Sequence, residues 1–322
     1  MGKDSTYTNG VIAVKEKYLL NDKIYKLCEG NAEEALRTLQ EAGFGKGIEI
    51  PSVYEYEKLI SADEAAIDEF IREYSPSGTE AEYLLSPRDF HNAKALIKAH
   101  YLNLEEGDML GPEGLIPISR ISNSIIEGKY ENLPKALSEA VKESVKLFTE
   151  NENGVSGAEI GYIFEKAQFA HLKAACSKNL LLKKLLSVKA DMTNILTALR
   201  CENAHQAENC YVEGGKLSKE RLNKLFLEDR EKASHTLDDT PYAEFVKKCF
   251  SDKAEGRPLT EAEKICESLE IDYFSAKRYE LKRGQPFLFY VFRRRAENAN
   301  VRILFVCLLA GMSEGDIKRR LR

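Results

Sequence analysis

With 322 residues, 43% of them hydrophobic and 31% charged, the chain has enough apolar material for one elongated domain or two to three subdomains, and too much for a disordered polymer. A formal net charge of −5 at pH 7 speaks against a nucleic-acid binder, whose domains carry a strong basic excess. The polar start MGKDSTYTNG, and a longest apolar run confined to Ile303 to Met312, lead us to expect neither a leader nor a membrane span, hence a soluble chain of the cytoplasm.

Gly2 followed by Thr6 fits the permissive myristoylation pattern, but Asp4 makes this start acidic and argues against it. Two or three short helices are expected between Tyr7 and Gln40, the last opening at Asn31 with Glu33 and Glu34 in its first turn, where acids favour the helix dipole. GFGKG, Gly43 to Gly47, stops it. A phosphate-cradling loop needs Gly-Lys-Ser/Thr opening a helix; here Gly47 and Ile48 follow Lys46, so the segment reads as a cap and turn. Pro51 and Ser52 open the next helix, with Tyr56, Leu59, Ile60, Ile67 and Phe70 at helical spacing and an end before Ser75 and Pro76. Ser86 and Pro87 then lead into DFHNAKALIKA.

All nine prolines read as loop or first-turn residues. Only GLIPI, Gly114 to Ile118, hints at extended backbone, and Pro117 demotes it as a strand. The middle of the chain reads as a short helix from Ser119, a helix from Pro134 to Phe148, a break at Asn151, a long helix from Ala158 to Ser177, and then DMTNILTALR. A short helix follows from Ser218, and EDREKASHTLDD, residues 228–239, is the expected flexible loop. Helices are expected from Pro241 and from Thr260 to Arg283, the latter opened by the capping box TEAE. Gly284 ends it, and Pro286 starts the last long helix, Phe287 to Met312.

An acid followed three residues later by Asn occurs three times: Asp89 and Asn92, Asp191 and Asn194, Glu297 and Asn300. The acids stand 102 and 106 residues apart. A short amphipathic helix with a polar N-cap follows each copy, at Ser119, Ser218 and Ser313, and a fourth opens the chain at Asn21, with spacings of 98, 99 and 95 residues. Two motifs keeping one period mark a repeat of small helical subdomains. The fold class is therefore all-α, with subdomains at 1–106, 107–212 and 213–322. Because the chain opens and closes partway through a cassette, a closed array would bring its termini together. Each Asn heads an apolar stripe and needs partners; the acid on the same face is positioned to accept from it and fix helix register. Ordinary capping at a helix N-terminus is the plainer alternative.

Catalytic constellations are poor. His91, His100, His171, His205 and His235 are dispersed, and CENAHQAENC offers only Cys201 and His205 at ligand spacing, with Cys210 beyond. Seven cysteines without a Cys-x-x-Cys pair point to free thiols. No catalytic, cofactor-binding or metal residues are expected. Residues 277–322 hold twelve Lys and Arg against four Asp and Glu. This makes Arg293, Arg294, Arg295, Lys318, Arg319 and Arg320 candidates for an interface with an acidic partner or anionic headgroups, unless they form a solvated outward face.

DFHNAKALIKA at Asp89 and AENANVRILFVCLLAGMSEGDIKRRL at Ala296 resemble the C-type subunits of the V/A-type rotary ATPases, called d in the eukaryotic enzyme. The likeness covers essentially the whole chain, and the pattern Glu297, Asn300, Arg302, Gly311 and Ile317 carries it best. The middle copy departs, with Leu196 where the others have Lys94 and Arg302. The resemblance implies three pseudo-repeated helical subdomains arranged as a funnel with a central cavity, on the cytoplasmic face of the membrane proteolipid ring. It implies a socket for central-stalk subunits of D and F type, with the membrane stator subunit as a further candidate contact. The role it implies is non-catalytic: passing torque for ATP-coupled proton or sodium transport, with no cofactor, nucleic acid or small-molecule substrate. A free-standing helical adaptor is the competing reading, and an enzyme gathering Cys201 and His205 is a third.

Overall fold

The computed structural model describes residues 5–105, 107–151, 155–257, 259–275 and 285–321. All regular structure among them is helical. In chain order the α-helices are α1 (Ser5–Lys15), α2 (Lys23–Leu27), α3 (Ala32–Glu41), α4 (Tyr56–Tyr74), α5 (Gly78–Leu102), α6 (Ile118–Ile126), α7 (Lys135–Glu150) and α8 (Gly157–Ala175). There follow α9 (Leu180–Arg200), α10 (Ala204–Cys210), α11 (Lys219–Asn223), α12 (Arg230–Ser234), α13 (Ala243–Ala254), α14 (Thr260–Ser275), α15 (Gln285–Leu309) and α16 (Glu314–Arg320). The chain divides into two compact units, Met1–Glu80 with Glu267–Arg322, and Ala81–Cys266.

The first unit joins the two ends of the sequence. The Asn31 side chain caps α3 by accepting from the Glu34 amide at 2.9 Å, while the Glu34 carboxylate accepts from the Asn31 amide, so two of the helix's orphan donors are satisfied reciprocally. The stripe Ala32, Ala35, Leu36 and Leu39 then packs in one core with Phe44, Leu59 and Ile60, and with Val301, Leu304, Phe305 and Ile317 from the other end of the chain. Tyr56 stacks on Phe305 with centroids 5.1 Å apart, and Phe70 on Phe287 at 5.5 Å. α4 and α15 therefore run antiparallel. The GFGKG segment is a left-handed turn against α4: Gly45 has φ 66°, and a Cβ there would stand 2.7 Å from both the Leu59 side chain and its carbonyl oxygen.

In the second unit Phe90, Ala93, Leu96 and Ile97 of α5 share a core with Ile121 and Ile125 of α6, Leu137 and Val141 of α7, and Ile160 and Phe164 of α8. The apolar stripes anticipated after Asp89 and from Ser119 thus become one cluster.

Four expectations are corrected. Ser119 and Asn21 are not N-caps, Pro117 standing at the N-cap of α6 and Asp22 at that of α2. Pro87 lies inside α5, which runs unbroken from Gly78 to Leu102; buried Leu84, Leu85, Phe90 and Ala93 on both sides carry the helix past the missing N–H. Residues 228–239 are a short helix between turns, not an open loop. Asp229 caps α12 through the Lys232 amide, and Ala233 and Leu237 are fully buried. Finally, the first two signature helices start well before their motifs, Asp89 and Asp191 each standing eleven residues beyond the first residue of α5 and α9, whereas α15 starts at Gln285, close to the expected Pro286. The expected end of α14 at Arg283 and Gly284, and Lys277 to Arg283 of the basic stretch, lie outside the described residues, as does Gly2.

Candidate functional site

The mid-helix position of the signature acids rules out N-terminal capping. All six signature residues are buried, so each must find a partner or carry an uncompensated desolvation cost. Five of them, all but Asn300, are seen to find it in the backbone of the strap that precedes the next short helix. In the first copy the two Asp89 oxygens accept from the amides of Leu115 at 3.1 Å and Ile116 at 3.0 Å. One turn on, Asn92 accepts from the Gly111 amide at 2.8 Å and donates to the Pro112 carbonyl at 3.1 Å. The extended GLIPI stretch is this strap. The expected bond from amide to acid along the helix is replaced by bonds from both to a neighbouring segment, which fix register across elements.

The second copy repeats the arrangement. Asp191 Oδ1 accepts from the amides of Lys216 at 2.7 Å and Leu217 at 2.8 Å. Asn194 accepts from the Val212 amide at 2.8 Å and donates to the carbonyl of the same residue at 3.0 Å. Each strap comes so close that the residue beside the acid has no room for a side chain. A Cβ on Gly114 would collide with Asp89 Oδ1, and one on Gly215 with Asp191 Oδ1. Gly114 and Gly215 are 101 residues apart, the period of the repeat, and that spacing was the overlooked signal for the straps.

The third copy is closed by the start of the chain. Glu297 accepts from the Asn21 amide at 3.1 Å, with the Leu20 amide beside it. The residue before Leu20 is Leu19, where the other straps have glycine, and here the acid is Glu, one methylene longer. Asn300 is buried on the same helix. Glu297 is further tied by Arg294 at 3.0 Å, whose guanidinium also pairs with Asp63 of α4 and lies over the Phe44 ring at 5.3 Å.

The remaining predicted residues separate into interior and surface groups. Arg294 is spent inside the first unit and is not the outward residue of a solvated face. Arg293 donates to the Asn21 side chain and lies over Phe289 at 5.7 Å, and Arg295 is half-buried. Arg302 grips Glu57 with two nitrogens at 2.9 and 3.0 Å and approaches Glu64 at 3.5 Å. Lys94 lines a groove of about 370 Å³ with Phe90, His91, Tyr162, Glu165 and Gln168. Both basic residues thus act on an acid of a packed helix, whereas Leu196 of the middle copy is simply buried. Lys318 pairs with Glu314 at 2.6 Å and Glu29 at 3.5 Å, Arg319 with Asp316, and Arg320 is exposed. Tyr242, whose hydroxyl donates to Asp191 Oδ2 at 2.8 Å, and Asp63 were not anticipated. Neither belongs to the two recurring motifs, although Asp63 lies 102 residues before Glu165, the spacing of Asp89 and Asp191.

The electrostatics are those of buried joints. Burial holds the Asp89 carboxyl up at about 6, with the two amides pulling the other way. Burial likewise raises Glu297, opposed chiefly by Arg294. The Tyr242 hydroxyl is pushed up by burial and by its bond to Asp191. Cys201 and Cys210 are buried next to Tyr162, and burial lifts the Cys210 thiol to about 11, leaving it protonated and unreactive at neutral pH. His205 is exposed on α10. Among the described residues no three His, Cys, Asp or Glu gather to hold a metal ion, and no helix is long and apolar enough to cross a membrane. The arrangement clasps helix to strap through backbone groups, with Tyr242 and Arg294 adding side-chain contacts to the second and third acids.

A family model described as ATP synthase (C/AC39) subunit matches residues 8–320. No curated protein matches the chain.

Proposed function

The chain belongs to the ATP synthase (C/AC39) subunit family, and from that premise we propose that it is the non-catalytic socket of a rotary ATPase, linking the central stalk to the membrane proteolipid ring and passing torque between them. The observation that carries the reading is the use made of the buried acids and amides. Asp89, Asn92, Asp191, Asn194 and Glu297 bind the chain's own backbone, which suits a part that must resist shear. A protein that transmits torque gains from joints that are directional and desolvated, since buried hydrogen bonds specify one geometry where apolar contacts tolerate sliding.

In this reading the three repeats at 1–106, 107–212 and 213–322 form a funnel on the cytoplasmic face of the ring, and D- and F-type stalk subunits enter it. The membrane stator subunit is a further contact. Arg293, Arg295, Lys318, Arg319 and Arg320 supply the basic surface for an acidic partner, Arg294 being engaged internally. Such contacts, made by partly or fully exposed charges, weaken with salt.

Pull-down of the tagged chain from gently solubilised membranes, with the bound proteins identified by mass spectrometry, tests the reading. We expect a proteolipid and two stalk subunits in fixed proportion, retained at low salt and shed progressively as salt rises. Recovery of the chain alone, or with soluble proteins only, would return the free-standing adaptor to first place.

A further inference from the structure

The second unit carries a charge imbalance that the clasps do not use. Residues 166–190, the latter half of α8 with the first half of α9, hold six Lys and no Asp or Glu, in a chain whose net charge is −5. Three of the six are engaged. Lys166 donates to the Asn209 carbonyl at 3.1 Å, Lys173 pairs with Glu213 at 3.0 Å, and Lys189 lies over the Tyr83 ring at 5.7 Å. His171, between them, is held by Glu82 at 2.9 Å. The other three, Lys178, Lys183 and Lys184, are exposed and form no ion pair with a described residue.

Their placement works against the helix they belong to. Asn179 caps α9 by accepting from the amides of Leu181 and Leu182, both at 3.2 Å, but the first turn holds no acid. In α3, α4, α5, α8 and α13 a Glu stands there, at the end of the helix dipole that negative charge stabilises and positive charge opposes. In α9 that end carries Lys178 before the cap and Lys183 and Lys184 after it. Leu180, the first helical residue, is 73% exposed, more than any other Val, Leu or Ile among the described residues. It shares the outward face with Lys183 and Lys184, three and four positions on, while Leu182, Leu185 and Leu186 are buried on the other. The tip thus presents one aliphatic side chain among three unpaired ammonium groups.

We propose that this tip docks on an anionic lipid bilayer. Headgroup phosphates meet all three ammonium groups at once and bring negative charge to a helix start that has none, while Leu180 enters the acyl boundary without needing a pocket on the partner. Carboxylates on a protein surface are matched best by the planar fork of Arg. Here the cations are Lys without Arg, compact charges on flexible stems that suit a fluid array. Binding through so small a patch is weak and reversible, each lysine contributing about fivefold and Leu180 about tenfold. The inference goes beyond the rotor reading and does not depend on it.

Sedimentation of the full chain with vesicles tests it. We expect binding to vesicles of equal parts phosphatidylserine and phosphatidylcholine, and none to phosphatidylcholine alone. Lys183→Glu with Lys184→Glu should weaken that binding at least about hundredfold while holding or raising the urea midpoint, because the same change supplies the missing acids to the start of α9. Leu180→Ser, which keeps the charge, should weaken it about tenfold. Lys135→Glu with Lys142→Glu, an equal change of net charge on the exposed face of α7, should weaken it far less. A Lys183→Glu, Lys184→Glu variant that binds like the parent, or an equal loss in the α7 variant, would overturn the proposal. So would capture on polyglutamate beads without binding to vesicles, which would assign the tip to an acidic protein.

Discussion

One methylene separates Asp from Glu, and in this chain it decides what can lie beside the acid. Asp89 and Asp191 are short, so the strap must come to them, and only Gly114 and Gly215 let it. Glu297 reaches farther and meets a strap that carries Leu19. The glycines are therefore spacers for hydrogen bonds. Gly215→Ala should push the strap off Asp191 and weaken the Lys216 and Leu217 bonds, at a cost of about 2–3 kcal/mol. Leu19→Gly should spare the third clasp and cost mainly its packing. Urea titration of both variants separates the cases: a Gly215→Ala variant as stable as the parent would mean that the strap is not held by the acid. The acids and amides were legible in the sequence because they recur. Their partners were not, because backbone donors carry no residue signature and Tyr242 and Asp63 belong to neither recurring motif.

At the scale of elements, the periodic stripes announced most of the helices, and their caps at Asn31 and Ser218 were readable as well. Punctuation misled in two places. Pro87 reads as a boundary by every local rule, yet α5 continues through it, because burial on both flanks outweighs one lost bond and the clash of the ring with the preceding turn. The charged run at 228–239 reads as solvent-exposed, yet two fully buried side chains, Ala233 and Leu237, anchor it. Composition averages over a window and hides two anchors among ten polar neighbours. If α5 endures Pro87 and does not require it, Pro87→Ala should restore the missing bond and stabilise the second unit by about 1–3 kcal/mol. A raised urea midpoint is the expected result. A lowered one would give the proline a packing role that the helix geometry does not reveal.

For the whole molecule the informative fact is that sequence ends meet. Leu20 and Asn21 complete the clasp on Glu297, and α2 and α3 share a core with α15 and α16. That closure was foreseeable from the chain opening partway through one cassette and ending partway through another. The division into two compact units was not, since nothing in the repeat marks 80 or 266 as a boundary. The two ends share one core, and the signature acids are held by backbone amides together with Tyr242 and Arg294. In the proposed role, the shape so held has its effect in coupling. The most direct measurement compares ATP hydrolysis with ATP-driven ion uptake in vesicles carrying the assembled complex with and without this chain. The account predicts that without it the catalytic head still hydrolyses ATP while ion uptake falls to background, and that adding the purified chain back restores uptake. Ion uptake that persists without the chain, or hydrolysis by the detached head that requires it, would contradict a purely mechanical role.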